Sequence, residues 1–219
     1  MNIHALAVCV DYADLLRKGM ENWKRGLDSL TVVTTPMDKE TLKLCDAWGL
    51  TAYTTEVFYE RGAKFNKGAA ISEAFGAVEW PDWCLLFDAD IIPPADWRQQ
   101  IESHSPQIGN MYGARRELEE GWAVFDRELA GFFQLFHSTD PNAQQRPLVD
   151  THWGHAGCYD SYFTKRWAPE QRIILPIDMI HQGLPGKNWC GRHNQGAMRD
   201  LMEERARRGS HLHERIDLP

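Results

Sequence analysis

Trp83-Cys84-Leu85-Leu86-Phe87-Asp88-Ala89-Asp90 runs from five apolar side chains straight into two acids. An apolar run of this length, bounded by turn residues, reads as a strand buried on both faces, as in the middle of a parallel sheet. Its end is the informative part. Two carboxylates with one small residue between them approach one hard cation directly or through water, while the strand fixes their direction. Apolar flanks lower the local dielectric and strengthen such a cation's hold on an anion.

Working outward toward the N-terminus, the chain alternates. Ala5–Val10 is a short apolar run, and Asp11–Asp28 places Leu15, Leu16, Met20, Trp23 and Leu27 near helical spacing. Leu30–Thr34 is a second β-rich run, and Asp38 is the expected N-cap of a helix through Trp48 that Gly49 closes. Thr51–Thr55 reads as a third strand, followed by a loop through Gly62. Asn66 is the expected N-cap of a helix carrying Ala70, Ile71, Ala74, Phe75 and Val78, and Trp80-Pro81-Asp82 turns the chain into the quoted strand. Strands alternating with helices predict right-handed crossovers and an α/β fold whose sheet is mainly parallel, with ligands at the carboxyl ends of the strands. Asp88 and Asp90 lie at such an end.

Beyond Pro93-Pro94 the alternation is lost and Trp, His and Gly become frequent, with a polar helix expected over 194–208. We therefore divide the chain into a ligand-binding half, 1–92, and a smaller mixed half, 93–219, within one compact domain. The 219 residues carry a net charge of −7, which opposes a whole-surface attraction to nucleic acid or anionic lipid. Cys9, Cys45, Cys84, Cys158 and Cys190 form no CxxC pair and are odd in number, as buried free thiols of a reducing compartment would be. The first ten residues lack a basic start, and their apolar stretch is too short for a signal peptide or a membrane span. The expectation is a cytoplasmic protein in a bacterial or viral type of setting.

An acid pair at the end of a buried strand, in a chain that opens with a strand and a helix, resembles the GT-A (Rossmann-like) glycosyltransferases, especially the family-2-type inverting group. The resemblance implies that Asp88 and Asp90 hold Mn²⁺ or Mg²⁺, which carries the diphosphate of a nucleoside diphosphate sugar. Lys64-Phe65-Asn66-Lys67-Gly68-Ala69-Ala70 is similar to the helix start that precedes the acid pair in that family. A helix N-terminus with a nearby lysine receives a phosphate or ribose, so Lys64, Asn66 and Lys67 join the donor candidates. The strand ends at Val10-Asp11 and Thr34-Thr35 fall where the family holds base and ribose. Family-2-type enzymes often carry acids after the second strand, and Thr34-Thr35 departs from that pattern. Asp11 reads equally as the N-cap of the first helix.

Further along, Trp153-Gly154-His155-Ala156-Gly157-Cys158-Tyr159-Asp160 resembles the Gly-rich, acid-ended segment that supplies the catalytic base of inverting members. Asp160 is then the base, or else the cap of a helix starting at Ser161. His181, after the apolar stretch Ile177–Ile180, completes the metal shell by the same resemblance, with His193 as competitor and a core histidine as the plain alternative. Lys187 and Arg192 are candidates to close over the diphosphate, and Trp122 and Trp153 to stack an acceptor sugar or base. The acceptor is a saccharide or, in a viral setting, a hydroxymethylated DNA base. Rival readings are a nucleotidyltransferase, a haloacid-dehalogenase-like phosphatase, and a catalytically inactive nucleotide-sugar-binding module.

Overall fold

The computed structural model describes residues 1–80, 82–119, 129–152, 154–157, 159–182 and 191–192, with the backbone alone at 123–124. The first half is β1 (Ile3–Val8), α1 (Ala13–Gly26), β2 (Ser29–Thr34), α2 (Lys39–Trp48), β3 (Thr51–Thr54), a 3-10 turn at Val57–Gly62, α3 (Lys67–Ala77) and β4 (Trp83–Asp88). The second half adds β5 (Ile91–Ile92), α4 (Trp97–Ser103), β6 (Met111–Leu118), β7 (Ala123–Val124), β8 (Phe133–His137), α5 (Tyr159–Thr164) and β9 (Arg172–His181). All strands join one mixed sheet in the order β3-β2-β1-β4-β8-β6-β9-β5, with β7 on the side of β6.

The predicted alternation forms the parallel block: β1 pairs in parallel with β2 and β4, and β2 with β3. Beyond β4 the direction mixes, since β8 runs antiparallel to β4 and to β6 while β6 and β9 are parallel. The 3-10 turn occupies what reads in the sequence as plain loop, and its Phe58 is buried against Phe65, ring centroids 5.1 Å apart. Among the described residues no helix is long and apolar enough to cross a membrane. The helix expected over 194–208 and the thiols Cys158 and Cys190 lie outside the described residues; Cys9, Cys45 and Cys84 are free and buried.

Each face of the sheet is covered. On one side α1 and α4 bury Trp23 and Trp97; Trp23 stacks on Phe87 at 4.0 Å and its indole N–H donates to the Ile91 carbonyl at 3.1 Å. On the other, α3 and α5 pack Ile71, Phe75 and Phe163 against Leu86 and Phe136. Rings of this size each remove a large apolar area from water and dominate core energetics. The alternating burial of β9, with Leu175, Ile177, Met179 and His181 inward, follows from a strand with one face on the core.

The caps follow the sequence closely. The Asp38 carboxylate accepts the Thr41 N–H at 3.0 Å, Asn66 accepts the Ala69 N–H at 2.9 Å, and Gly49 takes the left-handed conformation at φ 62°. Asp11 differs from its capping alternative: α1 starts after Tyr12, and Asp11 itself is left-handed at φ 62°. Asp38 provides the reason. Its second oxygen accepts the Asp11 N–H at 2.6 Å and the Thr34 hydroxyl at 3.1 Å, so one buried carboxylate ties the ends of β1 and β2 to the start of α2. Asp38→Ala removes a cap and leaves buried donors unmet, and it should lower unfolding stability by about 2–3 kcal/mol in a urea titration. Unchanged stability would show that water replaces these bonds.

Candidate active site

Strand pairing fixes the place. Val8 at the end of β1 lies opposite Asp88 at the end of β4, and β2 ends beside them at Thr34, so the carboxyl ends of the parallel strands form one edge. The chain then turns at Ala89-Asp90 into β5, where Ile91 pairs with His181. The Gln182 N–H donates to the Asp90 carbonyl at 2.8 Å, which locks the end of β9 onto the acid pair.

Asp88 is bound by a cation of the protein itself. The Lys67 ammonium, at the first position of α3, makes a direct ion pair with Asp88 Oδ1, and its Nζ lies 5.0 Å from the centre of the Tyr159 ring. Lys67 is buried. Burial alone drives an ammonium pKa down, but the Asp88 carboxylate and Tyr159 outweigh it and hold Lys67 above its ordinary value. Burial likewise pushes the Tyr159 phenol up, against the pull of Lys67.

Asp90 takes the opposite side. Its Oδ2 lies 3.8 Å from His181 Nε2, while its Oδ1 is buried with no hydrogen-bond partner among the described residues. Burial raises the Asp90 carboxyl above the usual range, the neighbouring Asp88 charge adds to that, and His181 and Lys67 oppose it. A buried carboxylate oxygen without a donor is costly unless something else meets it. The donor set of two carboxylates and an imidazole suits Mn²⁺, and better than it suits Mg²⁺. Among the described residues, however, no three such side chains are already gathered around a common point. The residues fit a divalent cation by chemistry, with Asp88 turned to Lys67 and Asp90 to His181.

Asp160 belongs to the same cluster. It sits in the first turn of α5, which starts at Tyr159, ahead of the Ser161 start of the capping alternative. Its Oδ2 accepts the Gly131 N–H at 2.6 Å and its Oδ1 the Ser161 N–H at 2.9 Å. Burial raises its carboxyl pKa, the Gly131 bond opposes this, and the charge of Asp88 raises it further, which places the two acids within reach of one another's field. A β-carbon on Gly131 would stand 2.7 Å from the Tyr159 hydroxyl and 2.8 Å from Asp160 Cβ, so only glycine lets this loop approach so closely. Gly68 serves the same end: a β-carbon there would meet the Asp150 carbonyl at 2.1 Å. The segment leading to α5 is stitched to the start of α3, with the Lys64 and Phe65 N–H groups on the Gly154 carbonyl and the Asn66 amide on the Thr151 carbonyl.

The other expected donor residues divide. Val10 packs in the core and the Thr34 hydroxyl is committed to Asp38, so these two offer backbone rather than side chains to a ligand. Thr35 is buried at the same corner. Asn66 is engaged at both ends of its amide by Ala69 and Thr151. Arg192 reaches the corner from the far end of the chain, donating to both oxygens of Asp14 at 2.9 and 3.1 Å with its guanidinium 4.5 Å from the Tyr12 ring. Burial pushes the Tyr12 phenol up to about 12, with Arg192 working the other way. Lys187, His193, Trp122 and Trp153 lie outside the described residues. Residues that sequence reasoning missed are Tyr159, Gly131 and Tyr59, the last half-exposed where the charges of Asp11 and Asp38 act on it. Only the Gly-rich approach to Asp160 signalled any of them.

No protein-family model matches the chain, and no curated protein sequence matches it significantly. Solved structures do. A mannosyltransferase from Pyrobaculum calidifontis in complex with GDP-Man and Mn²⁺ superposes with a TM-score of 0.61 at 15% identity, over 95% of this chain and 65% of its own, so this chain spans about two thirds of its length. Glucosyl-3-phosphoglycerate synthase from Mycobacterium tuberculosis, with Mn²⁺, UDP-Glc and phosphoglyceric acid, gives 0.51 at 13% identity over 84% and 72%. Mannosyl-3-phosphoglycerate synthase from Rubrobacter xylanophilus gives 0.50 at 15% identity over 100% and 79%. At such identities the likeness is one of architecture alone: the chain shares the GT-A fold of these structures.

Proposed function

We propose that this chain is a metal-dependent glycosyltransferase that moves a hexosyl group from a nucleoside diphosphate sugar to an acceptor hydroxyl, a saccharide being the favoured acceptor. The observation that carries the reading is the convergence of Asp88, Asp90, His181 and Asp160 at one carboxyl edge of a GT-A sheet. Three solved structures with this fold are a mannosyltransferase, a mannosyl-3-phosphoglycerate synthase and a glucosyl-3-phosphoglycerate synthase, the first and last in complex with Mn²⁺ and a nucleotide sugar. The net charge of −7 disfavours a DNA acceptor.

Asp88, Asp90 and His181 would hold the cation. When bound, it supplies charge neutralisation for the departing diphosphate. Lys67 lies beside the same point and adds a fixed positive charge to it. Asp160 takes the proton of the acceptor hydroxyl as that oxygen bonds to C1 of the sugar. The bond from C1 to the phosphate oxygen breaks, and the nucleoside diphosphate leaves with its electron pair. Both Asp160 oxygens accept a backbone N–H, which orients the carboxylate and leaves lone pairs for the proton. A carboxyl raised by burial is a stronger base once ionised. Attack from the side opposite the leaving group inverts the anomeric centre.

Two measurements test this. In a thermal-shift screen, one class of nucleotide sugar should stabilise the protein only with Mn²⁺, and Asp88→Ala or Asp90→Ala should abolish both that shift and transfer, lowering kcat/KM by about a thousandfold or more. Full activity in chelator would exclude the metal role. Asp160→Asn keeps an oxygen for the Gly131 N–H, so the variant should fold and bind donor yet lose about 10²–10⁴ in kcat. A product with retained anomeric configuration would remove Asp160 from the base role.

A further inference from the structure

The Lys67–Asp88 contact has a consequence for how the site fills, and it rests on the reading of that site as metal-dependent. A buried ammonium needs a negative partner, because an unpaired charge in a dry site is costly by several kcal/mol as an order of magnitude. Among the described residues the acid in an ion pair with Lys67 is Asp88 alone, and the other neighbour of its Nζ is Tyr159, which offers its ring face and a side-chain hydrogen bond. The same Asp88 is one of two acids at the edge where a divalent cation would sit. A doubly charged ion on Asp88 would therefore face the ammonium at close range in a medium of low dielectric, where like charges repel strongly. The ion thus weakens the hold of Asp88 on Lys67.

We propose that Lys67 is the counter-cation of Asp88 until a divalent cation binds, and that it exchanges this partner for a diphosphate oxygen when Asp88 takes that cation. The geometry allows the exchange without movement of the helix. Lys67 stands at the first position of α3, whose start is pinned by Asn66 to Ala69 and Thr151, so only the flexible four-carbon stem has to turn. Cation and donor then bind cooperatively: the ion alone must displace the ammonium from the acid with which it is directly paired, and the diphosphate provides a new direct partner. Coupling of this kind is reciprocal, each ligand tightening the other by the same factor.

The test is Mn²⁺ binding followed by titration calorimetry, with no sugar transfer involved. For the wild type, Mn²⁺ alone should bind weakly, and saturating GDP or UDP should tighten it by roughly ten- to a hundredfold. Lys67→Met, which keeps the stem and removes the charge, should bind Mn²⁺ alone about tenfold or more tighter than the wild type and gain less from added nucleotide. Lys67→Arg should retain the weak Mn²⁺ binding of the wild type. Should Lys67→Met fail to fold, ¹⁵N NMR of the wild-type lysine ammonium groups replaces it: the protected Lys67 signal should shift when Mg²⁺ and nucleoside diphosphate are added together. Equal Mn²⁺ affinity in the wild type and Lys67→Met, or an unmoved ammonium signal in a saturated sample, would overturn the exchange while leaving a metal-dependent transferase intact. An absence of Mn²⁺ binding in every variant, with and without nucleotide, would overturn the metal-dependent reading and this inference with it.

Discussion

Negative charge in a place short of water is the constraint around which this molecule is arranged. Asp88 and Asp90 sit at the end of a strand whose other side chains are almost wholly buried, and burial together with the Asp88 charge raises the cost of ionising Asp90. The fold answers with nitrogen groups from two distant parts of the chain. Lys67 arrives from the start of α3 and His181 from the end of β9, one for each carboxylate. What stays unanswered is Asp90 Oδ1, buried without a donor among the described residues. Stability alone would favour apolar side chains at such positions. Their acidity is better explained by a ligand than by folding.

A second constraint is backbone distance. Asp160 can share the site only because Asp150, Thr151 and Gly154 lie directly on the start of α3, and that approach leaves no room for a β-carbon at Gly68. The loop before β8 must come equally close at Gly131, whose N–H orients Asp160. Two glycines in different parts of the chain therefore set the separation between the acid pair and the third acid. On the proposed reading they would set the space available to a sugar, since a base acts only within hydrogen-bond reach of the proton it takes.

The corner where β1 and β2 end shows the same economy of buried polar groups. Asp38 holds the ends of β1 and β2 together, and in doing so it draws Asp11 into a left-handed conformation that side chains seldom adopt. Strained positions of this kind cluster at functional sites when surrounding bonds enforce them.

By itself the sequence determined the parallel block, because its cues are local. Apolar runs of strand length, the caps Asp38 and Asn66, and the left-handed Gly49 each act within a few residues, and they locate β1 through β4 and the acid pair at the edge. The strand alternation also implied which edge would hold the ligand. Tertiary structure alone decided the partners: that Lys67 pairs with Asp88, that His181 stands by Asp90, that Tyr159 faces Lys67, and that Arg192 returns to Asp14. These contacts join residues from 21 to 178 positions apart, as Lys67 to Asp88 and Arg192 to Asp14. No periodicity or cap encodes such a distance. It is set by the register of β9 against β5 and β6 and by the close approach at two glycines, which exist only once the sheet is assembled.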